Sequence, residues 1–578
     1  MKTLKIGLLV PSRFSSKYVY DLVDWANKQS NIEISHLILC TTSRKNVRFG
    51  VDGLFATKGL YAVTSRLLFR LIISAEQLVL NALESYRYQL DLLDLTPLVK
   101  HELTVEPAVS MPGSICFLSS DQSNAVRQLE LDLLISCGSW TLRGDILNAS
   151  RLGVIAIRFG DDRANWDAPP GFWECYHKSS RTSFTIQRLT EELDGGDILL
   201  RASFCTQFFC ALNQAHLFKK ASIHLQGLLA QIASTHQLPP TAPSLPYSGP
   251  LRRTPAFHQG VAYAFKMIGR VSKELLARLV GLRERWGISL LQADWKKAVF
   301  SRSVRVAFPR GRFWADPFLY VHNGKTYCFV EDYVYRSRRG HITALEVCGT
   351  EVVELGACLR EPFHLSFPFL FRYNEGIYMC PEAYESKQIR IYRCLDFPLN
   401  WTLSAVVMEN VSASDTVLFE KAGKWWMLTS IDKSGTNDWS SELYLFCSSS
   451  PLESDWRPHP QNPIRIDSDG GRNAGLILEG DRVLRIAQRQ GYGQYGLGLL
   501  VYEITEISES RFAEKLVSRI DPEFRRGLLG VHHLSSTGAT TVIDHASRSF
   551  VFPALGRSIR QMLREHTEKK LRREHVAS

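Results

Sequence analysis

A chain of 578 residues is too long for one hydrophobic core, so two domains and a connector are expected. Its composition, 45% hydrophobic and 22% charged, is that of an ordinary globular protein, and no apolar run reaches the ~18–20 residues that a membrane span needs. The net charge of +11 favours anionic partners such as phosphates, sugar nucleotides, nucleic acid or a membrane surface, or else serves solubility alone.

In chain order, Lys5–Val10 reads as a short apolar strand rather than a secretion signal. Tyr18–Gln29 has helical spacing, and Ile32–Cys40 alternates as a second strand. Ser65–Leu83 is predicted as a helix that is apolar on one side. Leu131–Ser136 is a third strand, followed by the turn CGSW and a helix to about Ser150, and Gly153–Ile157 is a fourth strand. Strands alternating with helices imply a parallel, doubly wound sheet, with its site beyond the carboxyl ends of the strands. No glycine-rich dinucleotide motif follows the first strand and no P-loop occurs, so neither kind of nucleotide site is supported.

Gln237–Arg253 holds five prolines in 17 residues and reads as an extended boundary. Ala262–Leu291 follows as a basic helix, apolar on one side, which either packs on a domain or lies on an anionic membrane face. The 12 cysteines show no CxxC pair and no zinc-ligand spacing. They read as buried thiols of a reducing compartment, and no metal is expected.

From about Trp295 short alternating strands are separated by turns such as HNGK, YNEG, EKAGK and LEGDR, an all-β pattern that repeats. The leading positions of five copies are Asp316, Phe367, Asp415, Asn473 and His532, separated by 51, 48, 58 and 59 residues. Glu331, Glu382, Ser430 and Gln488 follow the first four at a constant offset of 15. Five copies at this period predict a five-bladed β-propeller. Equivalent positions of all blades converge on one axis, so Asp316, Asp415, Arg472, Asn473, His532 and His533 are expected to ring the central channel. Glu331, Glu382 and Gln488 would form a neighbouring layer or the next strand. Carboxylates with an arginine and histidines suit a sugar, and paired carboxylates suit glycoside chemistry. The alternative is that Asp316 and Asp415 only tie the blades together by hydrogen bonds. The divisions expected are 1–236, an α/β domain; 237–294, a linker and basic helix; 295–548, the propeller; and 549–578, a basic helical tail.

Two family resemblances sharpen this reading. The block DLLISCGSW, LGVIAIRFGDD and the pair Thr185-Ile186, six residues before Leu193–Leu199, resembles the core of the folate-dependent formyltransferases over about Asp132–Arg201. That resemblance implies a Rossmann-like α/β formyltransferase fold and 10-formyltetrahydrofolate as the donor. The family's catalytic Asp falls on Asp194, whereas its Asn and His fall on Ala156 and Arg158. Two readings follow. Either Arg158 holds the oxyanion, with Asp161, Arg163, Glu174 and His177 completing a revised site, or the domain has lost catalysis and keeps a binding role.

FWADPFLY (Phe313–Tyr320), FVEDY (Phe329–Tyr333), PEAYES (Pro381–Ser386), SASDTVLF (Ser412–Phe419) and GVHHLS (Gly530–Ser535) carry the second resemblance. They are similar to the five-bladed propellers of furanosidase-type glycoside hydrolases and, more closely, to the N-terminal propeller of glucosamine inositolphosphorylceramide transferases. The hydrolases' catalytic Asp residues of blades one and three fall on Asp316 and Asp415. Their blade-four Glu is replaced by Asn473 and Gln488.

The function implied is a multidomain enzyme of bacterial surface-glycan biosynthesis. It transfers a formyl or related one-carbon group to an amino sugar on a nucleotide or lipid carrier, while the propeller holds the glycan. The alternatives are a non-catalytic glycan-binding scaffold and a methionyl-tRNA formyltransferase. The partners expected are a sugar nucleotide or lipid-linked glycan and a membrane surface met by the basic helices, not nucleic acid. The location expected is the cytoplasm, peripheral to the inner membrane.

Overall fold

The computed structural model describes residues 3–41, 57–110, 115–138, 140–160, 168–192, 196–242 and 252–550. The N-terminal half is built on a seven-stranded sheet of β1 (Leu4–Val10), β2 (Ile32–Cys40), β3 (His101–Val105), β4 (Leu133–Ser136), β5 (Val154–Phe159), β6 (Arg181–Leu189) and β7 (Gly196–Cys205). Their spatial order is β7-β6-β5-β4-β1-β2-β3. The first five strands in sequence are mutually parallel, and β6 and β7 run antiparallel at one edge.

The near-continuous apolar runs of β1 and β2 are explained by burial on both faces. Ile6, Leu8 and Val10 pack in one cluster with residues of α1 (Lys17–Ala26), such as Val19 and Leu22, and with Leu217 and Leu225 farther along the chain. Leu9, Ile38 and Leu134 face the opposite cluster with Val126 and Ile146. The helix expected to run to about Ser150 is absent. Thr141–Arg143 is a short strand and Asp145–Asn148 a single 3-10 turn, separated by Gly144 at φ 82°.

Further helices are α2 (Thr57–Leu80), α3 (Ser120–Arg127), α4 (Phe172–His177), α5 (Cys210–Thr235) and α6 (Phe257–Leu279). The segment Ala262–Leu291, expected as one helix, divides in two. Gly281 at φ 73° ends α6, and Leu282–Leu291 is a strand, β8. Among the described residues no helix is long and apolar enough to cross a membrane.

The C-terminal half has the five-bladed, propeller-like arrangement. Blades one to four are antiparallel sheets within 312–359, 366–409, 413–458 and 469–520, and blade three carries an extra short strand at Arg465–Ile466. Blade five is assembled from both ends of the propeller segment. β9 (Leu534–Ser536) pairs with β10 (Thr541–Phe550), and β10 pairs along its whole length with β8, from Leu282 opposite Phe550 to Leu291 opposite Thr541. The ring is therefore closed by a strand that lies within the span expected to be connector.

The two halves touch through buried charge as well as through apolar contacts such as Ile466 of blade three against the N-terminal core. Lys220 of α5 is fully buried, with its Nζ 2.7 Å from Glu442, 3.4 Å from Asp438 and 3.7 Å from Asp432, all of blade three. Arg181 of β6 pairs with Asp467 at 3.1 Å. Arg270 of α6 stacks over Phe208 and over Tyr492 of the blade-four turn.

Candidate functional site

Each of the first three blades opens its innermost strand with the same irregularity. Asp316, Phe367 and Asp415 have φ of 48°, 45° and 48°, and at each the pairing with the second strand slips in a bulge. Left-handed backbone is tolerated by Asp but is rare for a bulky side chain, so the shared conformation at Phe367 is held by its surroundings. The bulges aim the leading residues at the axis. The residues fifteen positions on lie on the second strand, where Glu331, Glu382 and Ser430 pair with Ala315, Ser366 and Ser414.

The axial groups bond from blade to blade. Arg472 reaches Asp415 through Nε at 2.6 Å and Glu382 through Nη2 at 3.0 Å. Glu382 also accepts from the Asp415 N–H at 3.2 Å and from the Ser414 hydroxyl. Gln488 donates to Asp415 at 3.1 Å. Asp316 accepts from the N–H of Phe367 at 3.2 Å.

His532 is clamped between two carboxylates, with Nδ1 2.5 Å from Asp544 and Nε2 3.3 Å from Asp316, and its ring lies 3.9 Å from that of Trp286. Asp316, His532 and Asp544 offer ligand atoms within 4.8 Å of one another, but a protonated imidazole between the two carboxylates already supplies the cation there. His364 lies 3.5 Å from Glu331, and Tyr495 covers Arg472 with its ring centroid 5.4 Å from the guanidinium. Tyr495 is exposed and His364 and Arg472 are partly so, whereas Asp544 is fully enclosed, so these three side chains define the mouth.

Five carboxylates (Asp316, Glu331, Glu382, Asp415 and Asp544) thus face two cations, Arg472 and protonated His532. Burial pushes Asp316 up to about 6 against the pull of His532. Burial lifts Glu331 well above the usual carboxylate range, and Asp316, Glu382 and Asp415 add to it. Glu382 feels the same burial, but Arg472 and the hydrogen bonds from Asp415 and Ser414 hold it below normal. Burial would lower His532, yet Asp544 and Asp316 outweigh it and keep the imidazolium.

Two residues expected to bind substrate do not reach the mouth. Asn473 is fully buried and its amide donates to the carbonyls of Asp415 and Leu428, tying blade four to blade three. His533 is enclosed against Phe318 and Phe367, and burial lowers it to about 3, so it packs as a neutral ring. Asp544 was not singled out from the sequence. It lies in the degraded fifth copy, twelve residues after His532 and so off the offset of 15 that marks the other blades.

In the N-terminal half, Asp194, Asp161 and Arg163 lie outside the described residues. Arg158 is the penultimate residue of β5, and its Nη1 is 3.5 Å from the Trp140 carbonyl. Glu174 is buried and pairs with Arg252 at 2.7 Å. His177 stacks on Trp173 at 5.6 Å, and burial together with Arg252 and Lys266 lowers its pKa. Arg158 lines a cleft of about 620 Å³ beyond the carboxyl ends of β4 and β5, with Tyr18, Phe159 and Phe218 as aromatic wall and Arg66 and Arg70 of α2 at its edge. Ala156, the position at which the formyltransferase resemblance places that family's Asn, is a buried core residue.

Residues 298–527 match the family described as Glucosamine inositolphosphorylceramide transferase 1, N-terminal. The rice protein (Oryza sativa subsp. japonica) named glucosamine inositolphosphorylceramide transferase 1 is 33% identical over 246 residues, covering 40% of this chain and 33% of its own. The Arabidopsis thaliana protein of the same name is 36% identical over 207 residues, covering 35% and 27%. The chain therefore spans 27–33% of the length of these curated relatives. Among solved structures, a family 117 glycoside hydrolase of Zobellia galactanivorans aligns with a TM-score of 0.30 at 11% identity, over 46% of this chain and 91% of its own.

These matches correct the function expected from the sequence. The relatives are named for transfer involving glucosamine and inositolphosphorylceramide, not for one-carbon transfer in bacterial glycan or tRNA chemistry. The propeller resemblance stands, and the relatives' names support a transferase.

Proposed function

We propose that this chain is a transferase of amino-sugar glycolipids and that the propeller mouth seats the amino sugar. One observation carries the reading: the axial cluster holds five carboxylates against two cations, and Glu331 lies beside neither cation but 3.5 Å from His364, which burial pushes toward the neutral form, while burial and the neighbouring carboxylates lift Glu331 well above the usual range. A protonated sugar amine at the mouth supplies the missing cation and lets Glu331 ionise. A phosphate there would face Glu331, Glu382 and Asp316, and the two cations of the cluster, Arg472 and His532, are each already paired with two carboxylates. The exposed Tyr495 ring beside Arg472 offers the apolar face of a sugar ring a stacking surface. The names of the relatives, which join glucosamine to an inositol-phosphate lipid, agree with this division.

Saturation-transfer NMR on the full chain with glucosamine and N-acetylglucosamine tests the reading. Glucosamine should give ring-proton transfer that Glu331→Gln weakens, and acetylation, which removes the ammonium, should abolish it. Equal transfer from both sugars would refute the charge argument.

A further inference from the structure

The helices α2 and α6 turn apolar side chains outward. Leu67, Leu71 and Leu78 of α2 and Phe265, Ile268, Leu275 and Leu279 of α6 are each more than half exposed. Their spacings of three, four and seven place each set on one stripe. The inward faces of the same helices are more modest. On α6 only Gly260, Tyr263 and Met267 are buried.

The two helices lie side by side, because a Cβ on Gly260 would come within 3.1 Å of Leu68 and 3.9 Å of Ile72. Tyr263 fixes the contact by donating to Glu76 at 2.7 Å. The stripes therefore belong to one ridge. Exposed apolar area of this extent is uncommon on a monomer and marks a surface that something covers.

The charges beside the stripes say what covers it. α2 carries Arg66 and Arg70, each one residue before an outward leucine, and α6 carries exposed Lys266, Lys273 and Arg278 against one exposed acid, Glu274. Arg66, Arg70 and Lys273 have no ion-pair partner among the described residues. An outward apolar stripe with basic flanks is the pattern of a helix that rests in a lipid interface. Arg66 and Arg70 are also wall residues of the cleft beyond β4 and β5, so a headgroup phosphate held by them lies at that cleft's entrance.

We propose that the α2–α6 ridge docks on an anionic lipid surface, with Arg66 and Arg70 receiving headgroup phosphates. The inference is independent of the sugar site, because its readout is lipid binding alone.

Flotation of the full chain with vesicles of phosphatidylcholine, with and without phosphatidylinositol, tests it. The wild type should float with the anionic vesicles at least about tenfold better than with the neutral ones, and less at high salt. The exposed pair L71E/L275E should lose flotation. R66Q/R70Q should reduce it severalfold on anionic vesicles while leaving the residual binding to neutral vesicles unchanged. All four positions are exposed, and circular dichroism with thermal melting checks that the variants are folded. No flotation, equal flotation on both vesicle types, or flotation unchanged in L71E/L275E would overturn the proposal. So would light scattering showing a wild-type dimer that L71E/L275E converts to monomer, since a second copy would then cover the ridge.

Discussion

Arg472 of blade four holds Asp415 of blade three through two nitrogens, Nε at 2.6 Å and Nη2 at 3.2 Å, while the same Nη2 lies 3.0 Å from Glu382 of blade two. One guanidinium thus joins three blades at the axis. Arg472→Met leaves two buried carboxylates without their cation and should cost about 3–5 kcal/mol, read from urea unfolding. Arg472→Lys keeps the charge but not the fork, and should recover only part of that loss.

Lys220 plays the same part between the two halves. Glu442 is held down to about 2, where burial alone would raise it, chiefly because Lys220 lies beside it, and Asp438 is likewise lowered. A carboxylate whose folded pKa is depressed contributes stability above its unfolded pKa and loses it as pH falls toward the folded one. The contact between α5 and blade three should therefore weaken from about pH 4.5 downward, visible in calorimetry as the two halves beginning to melt separately. Lys220→Met should produce that separation at neutral pH.

Asp316 behaves in the opposite sense. Burial raises it to about 6, so the folded protein binds this proton more tightly than the unfolded chain, and ionising it costs stability as pH climbs from about 4 to about 6. At the mouth the same ionisation adds negative charge for an ammonium to meet. Glucosamine binding should therefore strengthen as pH rises through about 6, and Asp316→Asn should flatten that dependence in an NMR titration.

Blade five makes a prediction about boundaries. A fragment of residues 295–550 lacks β8, the strand hydrogen-bonded along all of β10, and should not give a cooperative thermal transition. A fragment of 282–550 should.

Blades one to four were legible because each repeats an apolar strand, a tight turn and a second strand at a fixed offset, and a period survives substitution at most positions. β8 was not legible. LRERWGISLL follows a basic amphipathic helix without a proline, and only Gly281 marks the change. Its pairing partner lies some 260 residues away, and such long-range pairing leaves no local trace. The axial carboxylates of blades one to three were readable as repeat positions, whereas the burial of Asn473 and His533 was not, since polarity alone does not say whether a side chain is spent on a neighbouring blade. Lys220 was hidden for a similar reason. In LFKKAS either lysine suits an exposed helix face, and only the acidic residues of blade three, more than 200 positions on, decide which one is buried.

The central claim is that an amino sugar sits at the propeller mouth, and a crystal of the full chain soaked in glucosamine tests it most directly. Density for the sugar is expected between Glu331, Arg472 and Tyr495, with its amine toward Glu331. Density in the arginine-edged cleft beyond β4 and β5, with the mouth unchanged, would contradict it.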